Sequence, residues 1–286
     1  MKFTKMQGTG NDFVLIESSN NHQDWSKIAI TICDRHFGIG ADSLLLLLPS
    51  DKADFMMRTF DPDGSEAEAC GNGIRCVGRY VYEKGMLKRE ASQIKVETMA
   101  GIRTLHLNQE NGRVKTIQAN MGEPLFHAGE IPVVIKDSSD SVVDIKSMLS
   151  YTVNVAGREL TLILVSMGNP HAVYFQQQPV SEFPLCDLGP EVENLKIFPN
   201  RVNFEVVRVM NRQQVEARVW ERGAGETMAC GSGACAIIVA AQKLGYTDDK
   251  INVQLPGGKL EVEWHGTNEV LLSGPAEFVF TGEWPE

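Results

Sequence analysis

Apolar and polar residues alternate along most of the chain in the two-residue rhythm of half-buried strands. The pattern predicts strands at Phe13–Glu17, Phe55–Phe60, Ile94–Glu97, Thr161–Val165, Ala172–Phe175, Phe204–Val209, Val215–Trp220 and Glu269–Leu272. Asn111-Gly112 is a hairpin signal between Arg103–Leu107 and Val114–Ala119. Helical spacing is scarce. Ile74–Lys84 places Ile74, Val77 and Val81 on one face and stops at Gly85, and Trp25–Arg35 is a further predicted helix. Ala234–Leu244 is apolar nearly all round, which predicts a helix buried inside its domain. His127–Ser150 reads as a strand, a polar run at Asp137–Ser141 and a short helix.

The pattern repeats once. Cys70 opens Cys-Gly-Asn-Gly and Cys230 opens Cys-Gly-Ser-Gly, and each is followed by a helical run that ends at a glycine fifteen positions on, Gly85 or Gly245. Upstream of the two cysteines stand Arg58 and Arg218, Phe60 and Trp220, Asp61 and Glu221, and Glu66 and Glu226, at matching offsets. Gly10-Asn11 and Gly168-Asn169 lie about sixty residues before them. Downstream, Ala100-Gly101 and Gly257-Gly258 introduce alternating strands at Ile102–Leu107 and Lys259–Trp264.

One design used twice predicts an α/β (α+β) fold of two pseudo-symmetric halves. Each half is expected to be a mostly antiparallel sheet or barrel wrapped around a central helix, with the active site in the cleft between the halves. The expected boundaries are 1–121 with 276–286 for the half carrying Cys70, and 122–275 for the half carrying Cys230. The last strand, Ala276–Phe280, is expected to return to the first half.

Composition narrows the function. The 286 residues are 43% hydrophobic and 22% charged, as in a soluble globular protein. A formal charge of -10 disfavours nucleic acid and anionic membrane surfaces as partners. The longest apolar runs, Leu44–Leu48 and Ala234–Ala241, are too short to span a bilayer, and the N-terminus lacks the apolar core of a secretory signal. A cytoplasmic location is the expectation. Cys33, Cys70, Cys76, Cys186, Cys230 and Cys235 are then expected to be thiols. Cys33, Cys76, Cys186 and Cys235 read as small buried hydrophobes. A four-cysteine zinc site fits poorly, because the Cys-x5-Cys and Cys-x4-Cys spacings strain the usual knuckle.

Cys70 and Cys230 are different. Each precedes Gly-x-Gly at a predicted helix N-terminus, where free N–H groups and the helix dipole favour an anion and are expected to lower a thiol pKa towards neutrality. Racemisation needs two acid/base groups on opposite sides of an α-carbon and donors for the carboxylate onto which charge moves. Two such thiols supply both. No cofactor motif is present in the sequence, and neither cofactor nor metal is expected. His171 stands either as a structural residue or as one that tunes a thiol. Glu221-Arg222 reads either as a surface pair or as groups placed near a thiol and a substrate carboxylate.

These motifs resemble those of the diaminopimelate epimerase family. The likeness is carried by Lys5-Met6-x-Gly8-x-Gly10-Asn11-Asp12, by Asp63-Gly64-Ser65-Glu66 leading to Cys70-Gly71-Asn72-Gly73, and by Ser166-Met167-Gly168-Asn169-Pro170-His171. It continues through Arg201-Val202-Asn203, Glu221-Arg222-Gly223-Ala224-Gly225-Glu226-Thr227 and Ala229-Cys230-Gly231-Ser232-Gly233. The resemblance implies cofactor-independent epimerisation of LL-2,6-diaminopimelate to the meso form by a cytoplasmic homodimer. It implies Cys70 and Cys230 as the acid/base thiols, with His171 and Glu221 tuning them. Asn11, Gly71, Asn72, Asn169, Asn203, Glu221, Arg222, Gly231 and Ser232 become substrate contacts. The two Cys-Gly-x-Gly backbones would hold the reacting carboxylate, and Asn169, Asn203 and Arg222 the distal end.

Two further implied contacts depart from the family pattern. Asp61 stands where asparagine is usual, and Ser43 where glutamine often follows Gly-x-Asp. Asp61 suits a more cationic distal group, which keeps open a racemase of another amino acid, such as histidine or a proline derivative. A non-catalytic redox protein with a switchable Cys70–Cys230 disulfide is the third reading.

Overall fold

A computed structural model describes residues 1–20, 22–67, 70–87, 92–110, 113–134 and 142–285. They divide into two compact units, Met1–Asn120 with Ser273–Glu286, and Met121–Leu272.

The first unit contains β1 (Lys2–Gly8), β2 (Asn11–Glu17), α1 (Trp25–Cys33), β3 (Ser43–Leu48), β4 (Phe55–Phe60), β5 (Glu66–Ala67), α2 (Gly71–Glu83), β6 (Gln93–Thr98), β7 (Gly101–Glu110) and β8 (Arg113–Asn120). The second contains β9 (Val142–Ile145), β10 (Met148–Val155), β11 (Arg158–Ser166), β12 (Pro170–Phe175), α3 (Leu185–Glu193), β13 (Asn203–Asn211), β14 (Gln214–Glu221), β15 (Gly225–Thr227), α4 (Gly231–Leu244), β16 (Lys250–Leu255) and β17 (Gly258–Glu263). The chain then passes through β18 (Leu271–Gly274) to β19 (Glu277–Glu283), which pairs antiparallel with β1.

The repeat in the sequence is a repeat in register. β2 pairs parallel with β3 with Phe13 opposite Ser43, and β12 pairs parallel with β13 with His171 opposite Asn203. β3 and β4 are antiparallel with Leu44 opposite Phe60, as are β13 and β14 with Phe204 opposite Trp220. β5 and β15 return on them with Phe60 opposite Glu66 and Trp220 opposite Glu226. The parallel pairs β4–β6 and β14–β16 then align Phe55 with Val96 and Val215 with Val253. The strands pair mostly antiparallel, and the sheet is not closed into the barrel the sequence allowed.

Leu44–Leu48 shows why one strand can be apolar throughout. Leu44, Leu46 and Leu48 pack with Trp25, Ala29 and Ile32 of α1, while Leu45 lies against Gly73 of α2. A strand covered by a helix on both faces has no solvent side to alternate with. β13 is covered in the same way: Phe204 and Val206 join Leu185, Leu188 and Val192 of α3, and Glu205 lies against Gly233 of α4. The central helices α2 and α4 touch several strands of their own units. Every residue of α4 from Gly231 to Ala241 is buried, as its all-round apolarity predicts. Burial of Ile237 and Ile238 contributes roughly 1.5–3 kcal/mol each. Gly245 ends α4 at φ 85°, a left-handed cap that favours glycine.

Some elements differ from expectation. α1 stops at Cys33, two residues early, because the Asp34 carboxylate accepts from the backbone of His36 and Phe37, both at 2.7 Å, and holds a turn there. α3 escapes pattern reading because it contains Gly189 and Pro190. The glycine is required: a Cβ there would lie 2.4 Å from Trp220. The short helix expected before Ser150 is replaced by β9 and β10, whose pairing sets Met148 opposite Ile145. The strand expected at Glu269–Leu272 is shifted to Leu271–Gly274. Asn111-Gly112 and Asp137–Ser141 lie outside the described residues, although β7 and β8 pair with Glu110 opposite Arg113.

Candidate active site

In each unit the cysteine is the N-cap of the central helix. Cys70 has extended backbone angles, and its Sγ accepts from the Gly73 N–H at 3.3 Å. Cys230 has the same geometry, its Sγ accepting from Gly233 N–H at 3.3 Å. The thiol thus takes the place of a capping hydroxyl. The first N–H groups of a helix point along its axis at the positive end of its dipole, which suits the start of each central helix, beside its cysteine cap, to an anion such as a carboxylate.

In the first unit β1 and β2 are joined by Thr9-Gly10, both at positive φ. Thr9, strained at φ 58°, is tied down through Oγ1 by Arg75 of α2 at 3.1 Å. Arg75 is fully buried and also donates to the Gly71 carbonyl at 3.0 Å and the Pro275 carbonyl at 3.3 Å. The turn delivers Asn11, whose Oδ1 accepts from Asn72 Nδ2 at 3.2 Å while its own amide donates to Asp42 at 2.6 Å. Ser43 and Asp61, the two departures from the family pattern, are neighbours: Ser43 Oγ donates to Asp61 Oδ1 at 2.9 Å. The β2 end is braced by Asp12, bound to Lys5 at 2.6 Å and Arg35 at 2.7 Å. Burial raises the Asp12 pKa, but the hydrogen bonds from Arg35 and Lys5 outweigh it and hold the carboxyl at about 2.

In the second unit five side chains form one chain of hydrogen bonds. Cys230 Sγ lies 3.4 Å from Ser232 Oγ, which accepts from Asn169 Nδ2 at 3.3 Å. Asn169 Oδ1 is 3.0 Å from His171 Nε2, and His171 Nδ1 is 2.7 Å from Glu205 Oε1. Among the described residues, these bonds connect His171 to Cys230 through Asn169 and Ser232. Asn203 donates to the Pro170 carbonyl at 2.8 Å and accepts from the Arg222 N–H at 3.0 Å, fixing the start of the Arg222 turn. Arg222 Nη1 lies 3.4 Å from the Asn200 carbonyl. Glu221 accepts from Thr227 of β15.

The Cys230 thiol contradicts one expectation. Burial pushes its pKa well above the ordinary thiol value, Glu221 and Glu205 add to the rise, and the opposing bonds from Ser232 and Gly233 do not compensate. Cys33 and Cys76 are likewise buried and each is pushed up to about 12. Cys186, expected to be buried, is exposed in the first turn of α3, with its thiol 3.3 Å from Glu226.

A matching pair of ion pairs ties the strand before each cysteine to the sheet: Arg58 to Glu66 at 2.7 Å and Arg218 to Glu226 at 2.7 Å. The diaminopimelate epimerase family model matches residues 3–127 and 163–279. The chain belongs to the diaminopimelate epimerase family. It is an isomerase of the racemase and epimerase class. A diaminopimelate epimerase from Pelotomaculum thermopropionicum is 46% identical over 288 residues, covering 100% of this chain and 99% of that protein. A probable proline racemase from Agrobacterium radiobacter shares the fold with TM-score 0.72 and 14% identity, covering 99% of this chain and 92% of the other. A phenazine biosynthesis protein of the PhzF family from Bacillus anthracis shares it with TM-score 0.68 and 17% identity, covering 100% and 99%. These two likenesses speak to the fold of two similar halves.

Sequence reading missed Glu205 and Arg75. Glu205 carried a signal: it lies as far before Cys230 as Leu45 lies before Cys70, so a carboxylate replaces a leucine in the repeat. Arg75, whose counterpart five residues after the second cysteine is Cys235, is a charge that the repeat does not match.

Proposed function

We propose that this diaminopimelate epimerase family member interconverts LL- and meso-2,6-diaminopimelate by two-base proton transfer, with Cys70 and Cys230 on opposite faces of one α-carbon. The observation that carries the reading is the repeated cap, in which a thiol stands at the N-terminus of the central helix of each unit. Full-length identity of 46% with a diaminopimelate epimerase, against 14% with the proline racemase neighbour, favours this substrate over a proline derivative. The redox reading leaves the duplicated anion-binding caps without a purpose.

Burial and two carboxylates favour the protonated form of Cys230, which makes it the resting acid. Cys70, half-buried, then acts as thiolate and takes the α-proton. The proton leaves the α-carbon for Cys70 Sγ, its electron pair delocalises onto the carboxylate held by the helix N–H groups, and Cys230 returns a proton to the other face. Turnover in reverse exchanges the two roles. Asn11, Asn72, Asn169, Asn203, Glu221, Arg222, Gly71, Gly231 and Ser232 hold the substrate, with Ser43 and Asp61 at its distal end and His171 tuning a thiol. Because the thiols fill both proton-transfer roles, the reaction needs neither pyridoxal phosphate nor metal. The reading includes a cytoplasmic homodimer and a division into catalytic halves at 1–121 with 276–286 and 122–275.

The test is incubation of the reduced protein with LL- and meso-diaminopimelate in D2O. The expected result is α-deuterium incorporation during interconversion, with Cys70→Ser and Cys230→Ser each slowing it at least a hundredfold, roughly the scale of acid–base catalysis. Exchange of histidine or proline derivatives without diaminopimelate would overturn the substrate, and undiminished exchange in either serine variant would overturn the mechanism.

A further inference from the structure

The two units build the same register around the same helix cap, but at one place their chemistry differs. Phe13 and Leu45 occupy neighbouring strands of the first unit, and His171 and Glu205 occupy the corresponding positions of the second. The equivalence extends to contact distance. A Cβ on Gly73 would meet Leu45 at 2.8 Å, and a Cβ on Gly233 would meet Glu205 Oε1 at 2.8 Å. All four side chains are fully buried. The first unit shows that an apolar pair satisfies this position, so packing does not explain an ionisable pair in the second. A buried carboxylate and imidazole are a costly substitute for hydrophobes unless they do something else.

The hydrogen bonds show what that is. Glu205 spends Oε1 on His171 Nδ1, and its Oε2 has no hydrogen-bond partner among the described residues. Asn169 is oriented by its bond to Ser232, so its carbonyl oxygen faces His171 Nε2. We propose that Glu205 is a positioning residue: its carboxylate accepts from His171 Nδ1–H and so lets the ring carry a second proton on Nε2, which is donated to the Asn169 carbonyl oxygen and, through Asn169, presented to Ser232 and Cys230. The titratable groups it faces are His171 on β12 and Cys230 on α4, and Cys230 in turn faces Glu221 on β14. Glu205 and Glu221 both disfavour a Cys230 thiolate, so the proton shared by Glu205 and His171 sets how much negative charge Cys230 faces. Glu205 touches neither substrate nor thiol in this role; it acts through His171.

This inference rests on the proposed epimerase reading for its kinetic test and not for its spectroscopic one. In the full-length protein, Glu205→Gln keeps the shape but frees Nδ1 from its obligation to carry a proton. We expect kcat to fall roughly tenfold or more with KM within about twofold. In a His171→Phe background, read by α-proton exchange, the same substitution should change the rate by a smaller factor than in the wild type, because only the direct effect of the Glu205 charge on Cys230 is left. Long-range ¹⁵N NMR of the unliganded protein should show both His171 nitrogens protonated in the wild type and Nδ1 bare in Glu205→Gln. Additive losses in the two backgrounds, a wild-type pH–rate profile in Glu205→Gln, or a bare Nδ1 in the wild-type spectrum would each overturn the proposal. If Glu205→Gln fails to fold, the wild-type spectrum decides alone. If the wild type does not epimerise diaminopimelate, the functional reading fails while the spectrum still decides this one.

Discussion

Gly73→Ala separates the thiol's position from the stability of the helix that carries it. Alanine in place of glycine inside a helix is worth about 0.5–1 kcal/mol in its favour. Here the new Cβ would stand 2.8 Å from Leu45 Cδ2 and 3.0 Å from Cys70 Sγ. Overpacking of this kind costs about 1–3 kcal/mol, so the net loss is about 0–2.5 kcal/mol, or a fall in Tm of up to about 10 °C. Gly78→Ala, on the same helix, meets Leu105 Cδ1 at 2.9 Å and no thiol, and serves as the control with a similar stability change. The two should part on chemistry. Gly73→Ala pushes Cys70 away from the Gly73 N–H that it accepts from at 3.3 Å, and deuterium incorporation should fall by an order of magnitude or more. Gly78→Ala should stay within about twofold of wild type once folded protein is counted. Thermal unfolding followed by exchange in D2O at a temperature where both variants are folded reads the two effects separately. Equal exchange rates in the two variants would refute the placement of Cys70 as a reacting group whose exact seat matters.

Three other outcomes are expected. Arg75→Met leaves the buried Gly71 carbonyl and Thr9 hydroxyl, and the half-buried Pro275 carbonyl, without this donor, and urea denaturation should show a loss of about 2–5 kcal/mol. Because the buried Cys33, Cys76 and Cys230 thiols have raised pKa values, the folded state holds protons that the unfolded chain releases, so stability is intact below the ordinary thiol value of 9.0 and falls as pH rises above it. Cys33→Ala should lessen that alkaline fall, as measured by Tm between pH 8 and 11. Asp12, held at about 2, has the opposite sign: its stabilisation is present above 3.8, is lost as pH falls towards 2, and amounts to about 1 kcal/mol after discounting for solvent screening. Asp12→Asn should make unfolding less sensitive to pH in that range.

The amino-acid sequence by itself determined the repeat, the two capping cysteines and the helices that follow them. These are local facts: Cys-Gly-x-Gly before an apolar run specifies a cap without reference to the rest of the chain, and α4 had to be buried because no face of it is polar. Leu44–Leu48 was visible as an apolar run, but only the covering helices α1 and α2 explain why it is a strand. Tertiary structure alone decided three matters. α3 forms despite Gly189 and Pro190 because the Trp220 ring needs a surface without a Cβ. The Cys230 thiol is driven up and not down, since the helix-end field is a local property whereas burial and the Glu221 and Glu205 charges come from other strands. And His171 ended as the middle of a path from Glu205 to Ser232, an arrangement set by parallel pairing of β12 with β13, because a ladder between strands some thirty residues apart, not any spacing along one of them, puts an imidazole beside a carboxylate.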